Sequence, residues 1–98
     1  MQIKIHKAYR IVIALCDTSL IGKTFEEGNK QIQIRENFFK GDETNKQETI
    51  KILQNMQKED ATFNIVGEES VQTALEAGII QKSGIIKIQD IPIALVLL

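Results

Sequence analysis

Apolar and polar residues alternate from Gln2 to Ala8, with Ile3 and Ile5 on one side and Gln2, Lys4 and His6 on the other. A period of two predicts a half-buried strand. Ile11 to Cys16 is apolar throughout and bounded by Arg10 and Asp17. Six residues rich in β-branched side chains are too short for a helix, so this run reads as a central strand covered on both faces. Asp17 to Gly28 loses both periods and reads as a loop, or a loop with one short turn. Alternation returns from Asn29 to Glu36, with Ile32 and Ile34 inward, and predicts a third strand.

Beyond Phe38-Phe39-Lys40-Gly41 the period changes. Ile50, Leu53 and Met56 recur at three-residue spacing, which predicts a helix capped by Asp42 or Thr44 and running to about Lys58. Ala61 to Val66 is a short apolar segment closed by Gly67. Val71, Ala74, Leu75 and Gly78 then fall at i, i+3, i+4 and i+7, with Glu68 and Glu69 placed in the first turn of a helix and Gly78 just past its end. Ile85 to Asp90 is a further strand, and Ile91 to Leu98 is a second apolar run in which Pro92 belongs at the strand start or on an unpaired edge. The order is β-β-β-α-β-α-β-β, an α/β (α+β) class with a mixed sheet and two helices against it.

The chain has 98 residues and a net charge of −1. By general surface scaling a chain of this size buries about 65% of the surface its unfolded form exposes, enough for one core and one domain, residues 1–98. No run approaches the roughly 18 apolar residues of a membrane span. The N-terminus lacks the apolar stretch and cleavage site of a secretory signal. The single cysteine forms no internal disulfide, which points to a reducing cytoplasm. The near-zero net charge is a cancellation: seven basic residues face four acidic ones up to Lys40, and five face nine in the remainder.

Three constellations could carry chemistry. Asp17 to Thr24 matches the phosphate loop G-x-x-x-x-G-K-[ST] except for Asp17 at the first glycine. A working phosphate loop delivers Lys-Thr onto a helix N-terminus, whereas Phe25-Glu26-Glu27-Gly28 leads toward a strand, so hydrolysis is not expected and Gly22, Lys23 and Thr24 read as a solvated or anion-contacting turn. Cys16 with His6 is a conceivable nucleophile pair, but a cysteine closing an apolar run is usually a small core residue. One cysteine and one histidine cannot supply a zinc site, and no metal or cofactor is expected. Finally, Asn64 places an amide in the apolar segment that turns at Gly67 into Glu68, either bracing the neighbouring loop or facing a ligand.

Asp17 with Leu20-Ile21-Gly22-Lys23-Thr24-Phe25 and Gly28, then Phe38-Phe39, Asn64-Ile65-Val66-Gly67-Glu68 with Val71, Ala74 and Gly78, and Ile91-Pro92 together resemble the archaeal domain-of-unknown-function 424 family. The likeness spans nearly the whole chain. Phe39-Lys40-Gly41 stands where a Tyr-Gly-Gly pattern is expected, and Ile93 stands where a polar residue, often histidine, is expected after Pro92. The resemblance implies an archaeal cytoplasmic α/β domain and supplies no activity, substrate or cofactor.

Two functions follow as expectations. One is a non-catalytic module binding RNA, a ribonucleoprotein or a protein partner in information processing, through the 17–28 loop, the cations Lys4, Lys23, Lys30, Arg35 and Lys40, and stacking by Phe25, Phe38 or Phe39. The other is a small enzyme or phosphate binder with a pocket between that loop and the helix starting at Glu68, built from Asp17, Gly22, Lys23, Thr24, Asn64, Gly67 and Glu68. DNA and membranes are not expected partners. A homodimer through isoleucine-rich sheet edges is compatible with the pattern.

Overall fold

The uninterrupted apolar run and the strand-turn-helix segment after Ala61 lie at the centre of the architecture. The computed structural model describes residues 1–97, so Leu98, at the end of the C-terminal apolar run, lies outside the described residues. In chain order the elements are strands β1 (Gln2–Lys7) and β2 (Ile11–Cys16), a 3-10 turn at Thr18–Leu20, and a hairpin of β3 (Thr24–Glu27) and β4 (Lys30–Gln33). A short helix α1 (Glu36–Phe39), a two-residue strand β5 (Asp42–Glu43), helix α2 (Lys46–Lys58), strand β6 (Thr62–Val66) and helix α3 (Glu68–Ala77) follow. A second 3-10 turn at Lys82–Gly84 leads to strands β7 (Ile85–Ile88) and β8 (Ile91–Val96).

Six strands form a mixed sheet in the order β5-β1-β2-β6-β8-β7. β2 and β6 run parallel at its centre, with Cys16 opposite Val66, and the other neighbours are antiparallel. The α+β class and the sequence of predicted elements are present. The 17–28 segment contains more than a loop: its second half is β3, and with β4 it makes a separate two-stranded ribbon instead of extending the main sheet.

Both faces of β2 are covered, as its composition requires. On one face Ile13, Leu15, Phe63 and Ile65 pack against Leu53 of α2 and Val71 and Ala74 of α3. On the other, Ala14, Cys16, Val66 and Ile93 are covered by Leu20, Ile34 and Phe39. The hairpin is pinned at the β7–β8 turn, where the Gln89 amide donates to Glu27 Oε1 and its side-chain amide to the Glu26 carbonyl, both at 2.7 Å. Gln89 and Asp90 both take positive φ there (50° and 64°), a strained turn that these bonds help to hold. Pro92 is the second residue of β8, paired opposite Lys87.

Asn45 caps α2, its side chain accepting the Glu48 amide at 2.9 Å, in place of the expected Asp42 or Thr44. Asp42 is drawn into β5, while the buried Thr44 hydroxyl lies 2.7 Å from that of Thr49. The chain reaches α2 by wrapping around the edge of β1, and Gly41 makes that passage possible. A Cβ at Gly41 would lie 2.2 Å from the Ile3 carbonyl oxygen. The backbone fixes where a Cβ stands and the oxygen it meets is itself backbone, so no rotamer relieves the overlap. Gly41→Ala is therefore expected to push β5 off β1 and cost about 2 kcal/mol in urea unfolding, whereas an unchanged midpoint would show that this edge is pliable.

Candidate functional site

Gly67 occupies the N-cap of α3 with φ of 109°, a conformation that disfavours any side chain, and so brings no capping group of its own. The group comes from the residue that follows β2. Asp17 Oδ1 accepts the Ser70 amide at 2.8 Å and the Ser70 hydroxyl at 2.7 Å, and Oδ2 accepts the Glu69 amide at 3.2 Å. These are the N2 and N3 donors that a local Ser, Thr, Asp or Asn would satisfy. A Cβ on Gly67 would lie 2.3 Å from Asp17 Cγ. The carboxylate thus stands where the missing cap side chain would stand. The Asp17 amide donates to the Val66 carbonyl at 3.1 Å and the Gly67 amide to the Pro92 carbonyl at 2.9 Å, locking the arrangement into the sheet.

This geometry divides the expected site. Asp17, Gly67 and Glu68 meet at the start of α3, where the Asp17 carboxylate is taken up by the helix. Gly22, Lys23 and Thr24 turn away into β3 and line a cavity of about 340 Å³ whose other wall is Gln33, Ile34, Arg35, Glu36 and Asn37. Asn64 lies elsewhere on the sheet, half-buried, opposite Ala14 and Leu95, and does not line that cavity. The expected pocket between the 17–28 loop and Glu68 is replaced by one between that loop and α1, because Asp17 closes the space at α3.

The cavity collects charge. Lys23 and Arg35 line it, the Lys4 ammonium donates to the Asn37 carbonyl at 2.7 Å, and Lys40 pairs with Glu36 at 3.4 Å. Arg35 also holds the Gln33 side-chain oxygen with two bonds, at 3.0 and 3.1 Å. Four cations therefore surround α1, with Glu36 as the acid inside the group. Lys30, the fifth cation of the expectation, sits at the far end of β4. Phe38 is half-buried and stacks on His6 with centroids 4.6 Å apart, and His6 Nε2 donates to the Phe38 carbonyl at 2.8 Å. His6 is thus not on an open solvent face, since α1 covers it. Glu43 borders the patch; the Thr18 hydroxyl first, and the N-terminal ammonium after it, hold its carboxyl below the usual range.

Cys16 is fully buried, and burial, reinforced by the neighbouring Asp17 carboxylate, pushes its thiol up to about 12. Only the thiolate is a strong nucleophile, so this cysteine is inert at neutral pH. It lies opposite Gln2, while His6 lies opposite Val12 at the other end of the hairpin, so the two form no pair. Among the described residues no three His, Cys, Asp or Glu side chains converge as metal ligands would. Ser70 is the partner that sequence reasoning passed over; its one signal is a short hydroxyl at the third position of a helix whose cap is glycine.

The class defined by this fold and site is a small α+β domain with a mixed six-stranded sheet and a cationic cavity beside a short helix. Residues 6–98 match the family described as protein of unknown function, DUF424, and the chain belongs to it. Among solved structures it is similar to the crystal structure of an uncharacterized conserved protein from Methanopyrus kandleri, at 22% identity and a TM-score of 0.84, over 96% of this chain and 87% of that one. At that identity the likeness speaks for the fold. No curated protein matches the chain.

Asp17→Ala leaves the Glu69 and Ser70 amides unpaired and is expected to cost about 2–3 kcal/mol in chemical unfolding, with Asp17→Asn intermediate; a loss under about 0.5 kcal/mol would mean that water replaces the cap without penalty. Cys16 gives a second test. Below pH about 9 the thiol is neutral in folded and unfolded chains alike; between about 9 and 12 only the unfolded chain releases the proton, so folding stability falls as pH rises, by up to about 1.4 kcal/mol per pH unit. Cys16→Ala should lack that part of the alkaline slope, and identical slopes would show that the thiol ionises equally in both states.

Proposed function

We propose that the chain is a non-catalytic binding module that holds RNA through the cationic cavity around α1. The observation that supports this best is the gathering of Lys4, Lys23, Arg35 and Lys40 around α1, with Lys23 and Arg35 lining the cavity beside it, in a chain whose net charge is −1. Scattered lysines are ordinary surface, but four cations from three separate segments around one helix provide the concentrated positive field that phosphates need. Arg35 and Lys23 flank the cavity and suit a backbone phosphate. The Phe38 ring, stacked on His6, adds an aromatic surface at the same patch for an unpaired base.

The chemistry of the other candidates favours binding over turnover. Both Asp17 oxygens are engaged by α3, the Cys16 thiol is buried, and His6 is stacked and hydrogen bonded. A general acid or base needs a free proton site within reach of a substrate, and none of these three offers one to the cavity. A reducing, cytoplasmic setting accords with the buried free cysteine.

Fluorescence anisotropy with a labelled single-stranded RNA tests the reading. With three or four phosphates contacted, the slope of log K against log salt should be about −2 to −3. Lys23→Glu and Arg35→Glu should each weaken binding at least about tenfold and flatten the slope, since each removes one phosphate contact and adds a repelling charge. Affinity no tighter than about 100 μM at low salt, or equal affinity in both variants, would contradict RNA binding at this face.

A further inference from the structure

β5 is two residues long and pairs with β1 only at Gln2 and Ile3. The Thr44 amide donates to the Met1 carbonyl at 2.9 Å, which sets the phase of the edge. Peptide groups along a strand point alternately to either side, so odd-numbered residues of β1 present their N–H and C=O groups outward and even-numbered ones face β2. Beyond Ile3, the outward groups of Ile5 and Lys7 have no ladder partner among the described residues. A cavity of about 310 Å³ lies against the same edge, with Ile3, Ile5 and Ile52 of α2 as its apolar wall and Lys4 and Asp42, of opposite charge, at its polar side, so the charge excess of the edge lies beyond it at Lys7 and Arg10. Ile5 is 40% exposed there.

Charge decides what this edge can accept. Lys7 and Arg10 are exposed and make no ion pair among the described residues. Pairing β1 with β1 of a second copy would set Lys4 and Lys7 of both chains along one short seam, and lysines at an edge are a common means of preventing such self-association. An acidic strand reverses the sign of that interaction. The geometry points to the Ile5–Lys7 edge as a strand-addition site for an extended peptide of a protein partner that carries a β-branched apolar residue and an acidic one two positions apart, on one face. Main-chain bonds to Ile5 and Lys7 supply affinity, an apolar side chain enters the cavity against Ile5 and Ile52, and an acid two residues along, on the same face, meets Lys7. Lys4 borders both this cavity and the α1 cluster, but Ile5 and Lys7 are outside that cluster, so the site does not depend on RNA binding there.

A short synthetic peptide repeating valine-threonine-glutamate-threonine, which sets valine and glutamate on one face, is the probe, with a peptide carrying lysine in place of glutamate as its control. The acidic peptide should slow hydrogen exchange of the Ile5 and Lys7 amides at least about tenfold, and Lys7→Glu should weaken its binding at least about tenfold. Ile5→Pro removes an outward N–H without touching the β2 ladder and should abolish peptide binding while leaving RNA affinity unchanged. If that variant does not fold, exchange in the unaltered chain together with Lys7→Glu decides. Equal binding of the lysine peptide, unchanged exchange at Ile5 and Lys7 with peptide bound, or a dimer in light scattering that protects these same amides would overturn the assignment.

Discussion

The carboxylate of Asp17 and the amides at the start of α3 are the contact on which the rest of the molecule depends. It joins the end of one central strand to the helix that follows the other, at a helix start whose own cap residue is a glycine with positive φ. Without it the first turn of α3 would lose the partners of two of its amides, a cost of about 2–3 kcal/mol against a stability of roughly 5–15 kcal/mol for a domain. With it, α3 is fixed over the face containing Phe63 and Ile65, and the chain beyond Asp17 must leave in another direction. That departure sends Gly22, Lys23 and Thr24 toward α1.

From this follows a division of labour between the two sides of the sheet. One face is closed by two amphipathic helices and is occupied with stability. The other is covered by thin elements, a ribbon and one turn of helix, which bury Ala14, Cys16 and Val66 while placing exposed polar residues close above them. Short elements have little apolar area to spare, so their side chains divide sharply: Phe39 and Ile34 go inward, and Arg35, Asn37 and Lys40 stay outside. The cationic cavity is a by-product of that economy, and its charge is invisible in a net sum that the acidic second half cancels.

How much of this was legible in the chain depends on the range of the interaction involved. β1, β2, α2 and α3 announce themselves because the period of their apolar residues is a local property, and the Glu68-Glu69 start and Gly78 end of α3 are local as well. β3 escapes notice because Thr24-Phe25-Glu26-Glu27 has one apolar residue, and it becomes a strand by pairing with β4 and docking on the β7–β8 turn. The cap on α2 goes to Asn45 because Asp42 is drawn into β5 and the Thr44 hydroxyl turns inward to Thr49. Asp17 could be singled out by position, but its partners lie 52 and 53 residues onward, a pairing no local pattern contains. The cations around α1 could be named but not assembled, since Lys4, Lys23 and Lys40 converge only after the chain has wrapped the edge of β1.

The central claim is that Asp17 is a fixed structural group while the α1 cavity is the surface that meets a ligand. Titrating the isotope-labelled protein with a short single-stranded RNA and following its backbone and side-chain nuclear resonances separates the two. The account predicts shifts confined to Lys4, Lys23 and Arg35 to Lys40, with the Glu69 and Ser70 amides unmoved; shifts centred on Asp17, Glu68 and Ser70, or no shifts at saturating RNA, would contradict it.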